Sequence, residues 1–188
     1  MEKNIINKIF PIILDNDLLK YDPEGLWSIS LPNDAEKISL IILNKFGSNI
    51  YILDGTSGIG GNVISFAKYF NKVCAVELNK DRFEILKNNI DIFKLDNINL
   101  INDDSCNYLN NDYDVYFFDP PWGGQDYKTK VNLKFKLGNY TLYEIINKIN
   151  KKPIIFKLPN NYDLSEFSNY NYNIIRINNY IILIINNT

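Results

Sequence analysis

From Asn49 to Leu158 the chain keeps switching between two hydrophobic periods, and this switching restricts its fold more than any other feature. "NIYILDG" at 49–55, "KVCAVEL" at 72–78, "NINLIND" at 97–103, "YDVYFFD" at 113–119 and "KPIIFKL" at 152–158 are apolar runs of strand length. Between them, "GNVISFAKYF" at 61–70 sets Val63, Phe66, Ala67 and Phe70 at helical spacing, and "KDRFEILKNNIDIFKL" at 80–95 gathers Phe83, Leu86, Ile90 and Phe93 on one face. "TLYEIINKIN" at 141–150 reads as one more helix. Such alternation predicts an α/β fold, with a mostly parallel sheet covered by helices on both faces. The tail "YNIIRINNYIILIINN" predicts a hairpin turning at Asn178-Asn179, which adds an antiparallel edge. Residues 1–48 are expected to form a helical extension packed over the sheet edge, ahead of an α/β domain at 49–188.

Open sheets of this kind bind ligands beyond the carboxyl ends of their strands, so the residues there carry the functional reading. The stretch "LDGTSGIGGN" at 53–62 leaves the first strand and enters the first helix of the alternation. Asp54 closes the strand, and Thr56, Gly58 and Gly60 form the turn; without a Cβ, glycine lets backbone approach a ligand closely. Glu77 ends the second strand, where a carboxylate can accept both hydroxyl hydrogens of a ribose. Asp104, after the third, can accept from the amino group of adenine or else cap a turn. A dinucleotide fingerprint would need glycine at Val63, and no Gly-Lys-Ser/Thr follows to make a phosphate loop. An acidic residue at the mouth of the loop repels pyrophosphate and attracts an amino or sulfonium group. S-adenosylmethionine therefore suits the site better than NAD or ATP.

The fourth strand ends in "DPPWGG", residues 119–124. Pro120 and Pro121 fix φ and have no N–H, so the carbonyls of the turn stay available as acceptors. Asp119 and the following carbonyl can hold the two hydrogens of a planar exocyclic amine, leaving its lone pair toward an electrophilic methyl group. Trp122 offers a face on which a base can stack. Such chemistry needs orientation and exclusion of water more than proton transfer.

Composition removes several other classes. The chain has no histidine, which excludes His-based triads, His metal sites and His acid–base catalysis, and no metal is expected. A net charge of −2 argues against broad binding along a phosphate backbone. No apolar run approaches the roughly 20 residues of a membrane span, and no membrane partner is expected. Cys74 and Cys106 lack C-x-x-C spacing and read as structural thiols in a reducing compartment.

"DPPWGGQDY", together with "LDGTSGIGGN", "GLWSIS" and "FKLPNNYDLSEFS", resembles the trimethylguanosine synthase family of cap-hypermethylating RNA methyltransferases. The resemblance implies a class I, Rossmann-like fold with a seven-stranded sheet. It implies methyl transfer from S-adenosylmethionine to N2 of a 7-methylguanosine cap, with capped RNA as partner; a monomer inside the cell, in nucleus or cytoplasm, is expected. On this resemblance Asp54, Thr56, Gly58, Gly60, Glu77, Asp104 and Asp119 line the cofactor, while Asp119, Pro120 and Trp122 carry the chemistry. Trp122 stacks on the cationic base, Ser28 and Asn89 touch the cap nucleotide, and Tyr127 lies near the cap phosphates. The family's Leu-Pro-Arg segment stands here as Leu158-Pro159-Asn160, leaving Lys157 as the candidate phosphate cation. Many relatives have serine in place of Asp119. Two alternatives stay open: transfer to guanine N2 or adenine N6 within rRNA or DNA, and a nonenzymatic cap-binding domain.

Overall fold

The computed structural model describes residues 2–186; Met1, Asn187 and Thr188, which close the two predicted segments, lie outside the described residues. Strands β1 (Tyr51–Asp54), β2 (Lys72–Val76), β3 (Ile98–Ile101) and β4 (Val115–Phe118) alternate with helices α4 (Gly61–Tyr69) and α5 (Lys80–Phe93). They follow α1 (Glu2–Ile9), α2 (Pro23–Ser28) and α3 (Pro32–Phe46). After β4 come a short antiparallel pair, β5 (Lys136–Leu137) and β6 (Tyr140–Thr141), then α6 (Leu142–Lys148), β7 (Ile154–Pro159), β8 (Tyr172–Ile177) and β9 (Tyr180–Ile185). The main sheet has seven strands in the order β3-β2-β1-β4-β7-β9-β8. Pairings from β3 across to β7 are parallel, and β9 runs antiparallel to both β7 and β8. The tail hairpin turns at Asn178, whose φ of 47° is one that asparagine tolerates better than most residues. The β5–β6 pair is too short to show a period in the sequence.

The central strands read as continuous apolar runs because both faces are buried. On β4, Val115 and Phe117 enter one core while Tyr116 and Phe118 enter the other. The first core joins α4 and α5 to the N-terminal helices through Ile38, Ile42, Val63, Phe66, Leu86 and Ile90. The second lies under α6, with Leu142, Ile145 and Ile146. The N-terminal helices pack on the first core through Ile6, Ile9, Phe10, Ile38 and Ile42. Cys74 is a buried free thiol and Cys106 a half-buried one.

The chain leaves β1 toward β2 on one side and returns to β4 on the other. The crevice between the β1 and β4 ends is therefore the switch point where open α/β sheets bind ligands. The glycine turn and the DPPW turn both open into it.

Candidate active site

The turn after β1 is shaped by two hydrogen bonds and one left-handed glycine. Thr56 N donates to Asp54 Oδ1 at 3.1 Å, Gly58 N donates to Glu77 Oε2 at 2.9 Å, and Gly60 opens α4 at a φ of 107°. Glu77, at the end of β2, also accepts from Asn79 N at 2.9 Å. Its carboxylate therefore braces the loop while keeping lone pairs on both oxygens. Asp104 accepts from Cys106 N at 2.9 Å and so caps the turn at Ser105–Tyr108, with Gly138 of the β5–β6 pair packed beside its Oδ2. Together, Asp54, Glu77 and Asp104 end three adjacent strands.

Asp54 is the anomaly among them. It is fully buried, and among the described residues its Oδ2 has no hydrogen-bond partner. Burial pushes its carboxyl up to about 8, with the Asp119 and Glu77 charges adding to the rise and Thr56 N and Lys157 opposing it. An orphaned buried acceptor is expensive, roughly 1–3 kcal/mol. A cationic donor group from a ligand would satisfy it.

The DPPW turn is tied to this loop directly. Asp119 N donates to Thr56 Oγ1 at 2.7 Å, joining the ends of β1 and β4. Trp122 is half-buried; its Nε1 donates to Lys157 O at 3.3 Å, and its ring meets Tyr127 edge-on with centroids 5.0 Å apart. Asn161 Nδ2 donates to Tyr127 O and Lys130 O, each at 2.7 Å, and fastens the loop beyond the tryptophan. Pro120 is buried behind it.

Three residues are placed otherwise than the resemblance implied. Ser28 is exposed at the end of α2, where its hydroxyl donates to Glu24 O at 2.9 Å, the ordinary back-bond of a helical serine. Asn89 is fully buried and spends its amide on backbone: Nδ2 donates to Lys20 O and Ile59 O at 3.0 Å each, and Oδ1 accepts from Lys20 N at 2.8 Å. Both of its donor hydrogens are consumed, so it clamps the N-terminal segment to the glycine loop and does not face a nucleotide. Lys157 is buried, with Nζ 2.6 Å from Asp119 Oδ2 and 2.8 Å from Ser30 Oγ. It is committed to an ion pair and is not a free phosphate cation.

Two site residues are not singled out by the sequence. Ser30, two positions past Ser28, is the serine that reaches the crevice, and nothing in "WSISLP" separates the two until the end of α2 is known. Arg82, on α5, spans from the N-terminal segment to Glu77. It lies 2.6 Å from Glu24, 3.3 Å from Asp22 and 3.8 Å from Glu77 Oε1. Gly25 and Gly61 complete the join: a Cβ on Gly61 would sit 2.6 Å from Ser30 O, and one on Gly25 2.7 Å from the Ile59 side chain.

The profile of the family described as RNA cap guanine-N2 methyltransferase matches residues 49–187. An uncharacterized protein of Acanthamoeba polyphaga mimivirus is 35% identical over 191 residues, spanning 85% of this chain and 75% of its own. The trimethylguanosine synthase of Schizosaccharomyces pombe is 28% identical over 78% of this chain and 68% of its own. A 16S rRNA N2 methyltransferase of Thermus thermophilus, solved in complex with AdoMet and guanosine, shares the fold. Its TM-score is 0.60 at 14% identity, over 90% of this chain and 44% of that one. The sheet is the class I methyltransferase sheet with its antiparallel tail hairpin, and the chain belongs to the RNA cap guanine-N2 methyltransferase family.

Proposed function

We propose that the protein transfers a methyl group from S-adenosylmethionine to the exocyclic N2 of a 7-methylguanosine RNA cap. The Thr56–Asp119 hydrogen bond carries this reading, because it sets an amine-holding turn against the loop suited to the cofactor. Asp54 Oδ2, buried and unpartnered, fits the ammonium of the methionine moiety. Glu77 fits the ribose with its remaining lone pairs, and Asp104, beyond the third strand, suits the amino group of adenine. The cofactor supplies an already electrophilic methyl group. The protein's part is placement: Asp119 and the Pro120 carbonyl take the amine hydrogens, and Trp122 stacks on the base. Because Lys157 is buried beneath the indole, the solvent-facing part of the ring remains for the ligand.

Incubation with S-adenosylmethionine and either 7-methyl-GTP or GTP, followed by mass analysis, tests the proposal. Methyl gain on 7-methyl-GTP alone is expected, and preference for GTP would overturn the cap assignment. Trp122→Ala should weaken 7-methyl-GTP binding by roughly tenfold or more, as loss of a desolvated cation–π contact implies. Cofactor affinity should stay within about threefold; calorimetric titration of both ligands separates this outcome from a merely structural tryptophan.

One observation favours a second reading, transfer to guanine N2 within an RNA chain. With Lys157 in an ion pair and asparagine at Asn160, the segment expected to hold cap phosphates presents no free cation. Uncapped RNA as acceptor in the same assay distinguishes the two.

A further inference from the structure

Lys157 is out of place for its strand. β7 is buried at every position from Ile154 to Pro159, and the alternation of the strand points Lys157 to the same face as Ile155, the face that holds the larger core. A buried ammonium needs compensation for every lost water contact. Here each donor direction is answered. One hydrogen reaches Asp119 Oδ2 and another Ser30 Oγ, while the rings of Trp122 and Tyr180 lie 5.4 Å and 5.1 Å from Nζ. Sheet register produces the pairing: Phe118 of β4 is opposite Phe156 of β7, so the next residues along, Asp119 and Lys157, meet just beyond the paired strands.

Resting on the methyl-transfer reading above, we propose that Lys157 is a positioning residue for the transfer step. Pinned between Asp119, Ser30 and Trp122, it locks the Asp119 carboxylate in one orientation as a hydrogen-bond acceptor, so that its second oxygen is offered to the acceptor amine. An acceptor amine needs a carboxylate; a carboxylic acid there would present a donor to another donor. A freely rotating carboxylate would lose the alignment that makes the nitrogen lone pair reactive. The backbone of the same residue holds the tryptophan, with Trp122 Nε1 donating to the Lys157 carbonyl, so one residue sets both the amine acceptor and the stacking plane. Burial raises the Asp119 carboxyl above its usual range, and the Lys157 ammonium with the Ser30 hydroxyl holds it down. The other ionisable groups coupled to it are Asp54 on β1 and Tyr180 on β9.

Lys157→Met, which keeps length and removes the charge, should lower kcat about a hundredfold near pH 7 and leave S-adenosylmethionine affinity within about threefold. It should also displace the acid limb of the kcat–pH profile to higher pH, so that activity at a fixed acidic pH drops by a further tenfold or so and partly returns in alkali. A uniform loss at all pH values overturns the proposal. If the single variant fails to fold, comparison of Asp119→Asn with the double variant, in which no buried charge is left unpaired, remains. Asp119→Asn removes the partner charge, and adding Lys157→Met to it should cost less than about twofold further. A further hundredfold loss would mean that Lys157 acts independently of Asp119. Carboxyl carbon NMR of Asp119 gives a readout that needs no acceptor. Its titration midpoint should rise in Lys157→Met, and an unmoved midpoint refutes the positioning role even if the cap assignment fails.

Discussion

Asp54→Asn should make the protein more stable at pH 8 while nearly abolishing S-adenosylmethionine binding. The carboxyl sits fully buried, one oxygen without a partner, and its pKa is pushed up to about 8 by burial. Because the folded value lies above the ordinary one, between about pH 4 and 8 the native state keeps a proton that the unfolded chain has released. Stability therefore falls as pH rises through that window and levels off above it. The asparagine variant has no proton to hold and should lose this slope, so the two proteins diverge by roughly 3–4 kcal/mol from pH 5 to 8. Urea unfolding at both pH values checks it; an equal gain at the two would refute the assignment. Binding should move the opposite way. Removing one partner of a buried charge pair typically costs about 2–5 kcal/mol, or roughly thirtyfold to several thousandfold in affinity. In the wild type, each tenfold rise in proton concentration below pH 8 should weaken affinity about tenfold, since the carboxyl must ionise before it meets an ammonium. Calorimetry in buffers of different ionisation enthalpy would register the released proton.

Asn89→Leu should have the largest effect on stability. The leucine fits by volume, but it strands Lys20 N, Lys20 O and Ile59 O, all of which now bond to the amide. Each stranded group costs about 1–3 kcal/mol unless water reaches it. Water can reach the two Lys20 groups more easily than Ile59 O, so a net loss of about 3–5 kcal/mol is expected. For a chain of this size that lowers Tm by roughly 10 °C or more. Activity should fall with it, because the released segment carries Ser30. A residue that only touched the cap would behave differently: thermal melting would be unchanged and 7-methyl-GTP affinity alone would drop.

How far the sequence reveals this arrangement depends on whether the signal is local. Strand and helix periods are legible because each buried run states its own environment, as "VYFF" does on β4 with both faces covered. That Asp54, Gly58, Glu77 and Trp122 gather at one edge is legible because parallel strand ends share one edge of the sheet. Asn89 and Ser28 mislead because a resemblance carries over a residue's column and not its hydrogen bonds. In a chain rich in asparagine, a backbone clamp looks like any other polar helix position. Lys157 is different: a lone charge within "IIFKLP" already demands a buried anion, and the register supplies Asp119. The phosphate role implied by the resemblance conflicts with that demand, and burial decides between them.

The clamp at Asn89 also bears on how such a protein can diversify. It grips the segment around residue 20 solely by main-chain N–H and C=O groups, and Gly25 and Gly61 are needed only for close approach. Side chains along this segment dock it as well: Leu19, Tyr21, Leu26 and Ile29 pack against the larger core, Asp22 and Glu24 hold Arg82, and Ser30 meets Lys157. The family profile matches from residue 49, yet one wall of the crevice is built ahead of it. A substitution in that wall can therefore reshape the crevice while the seven-stranded sheet stays intact.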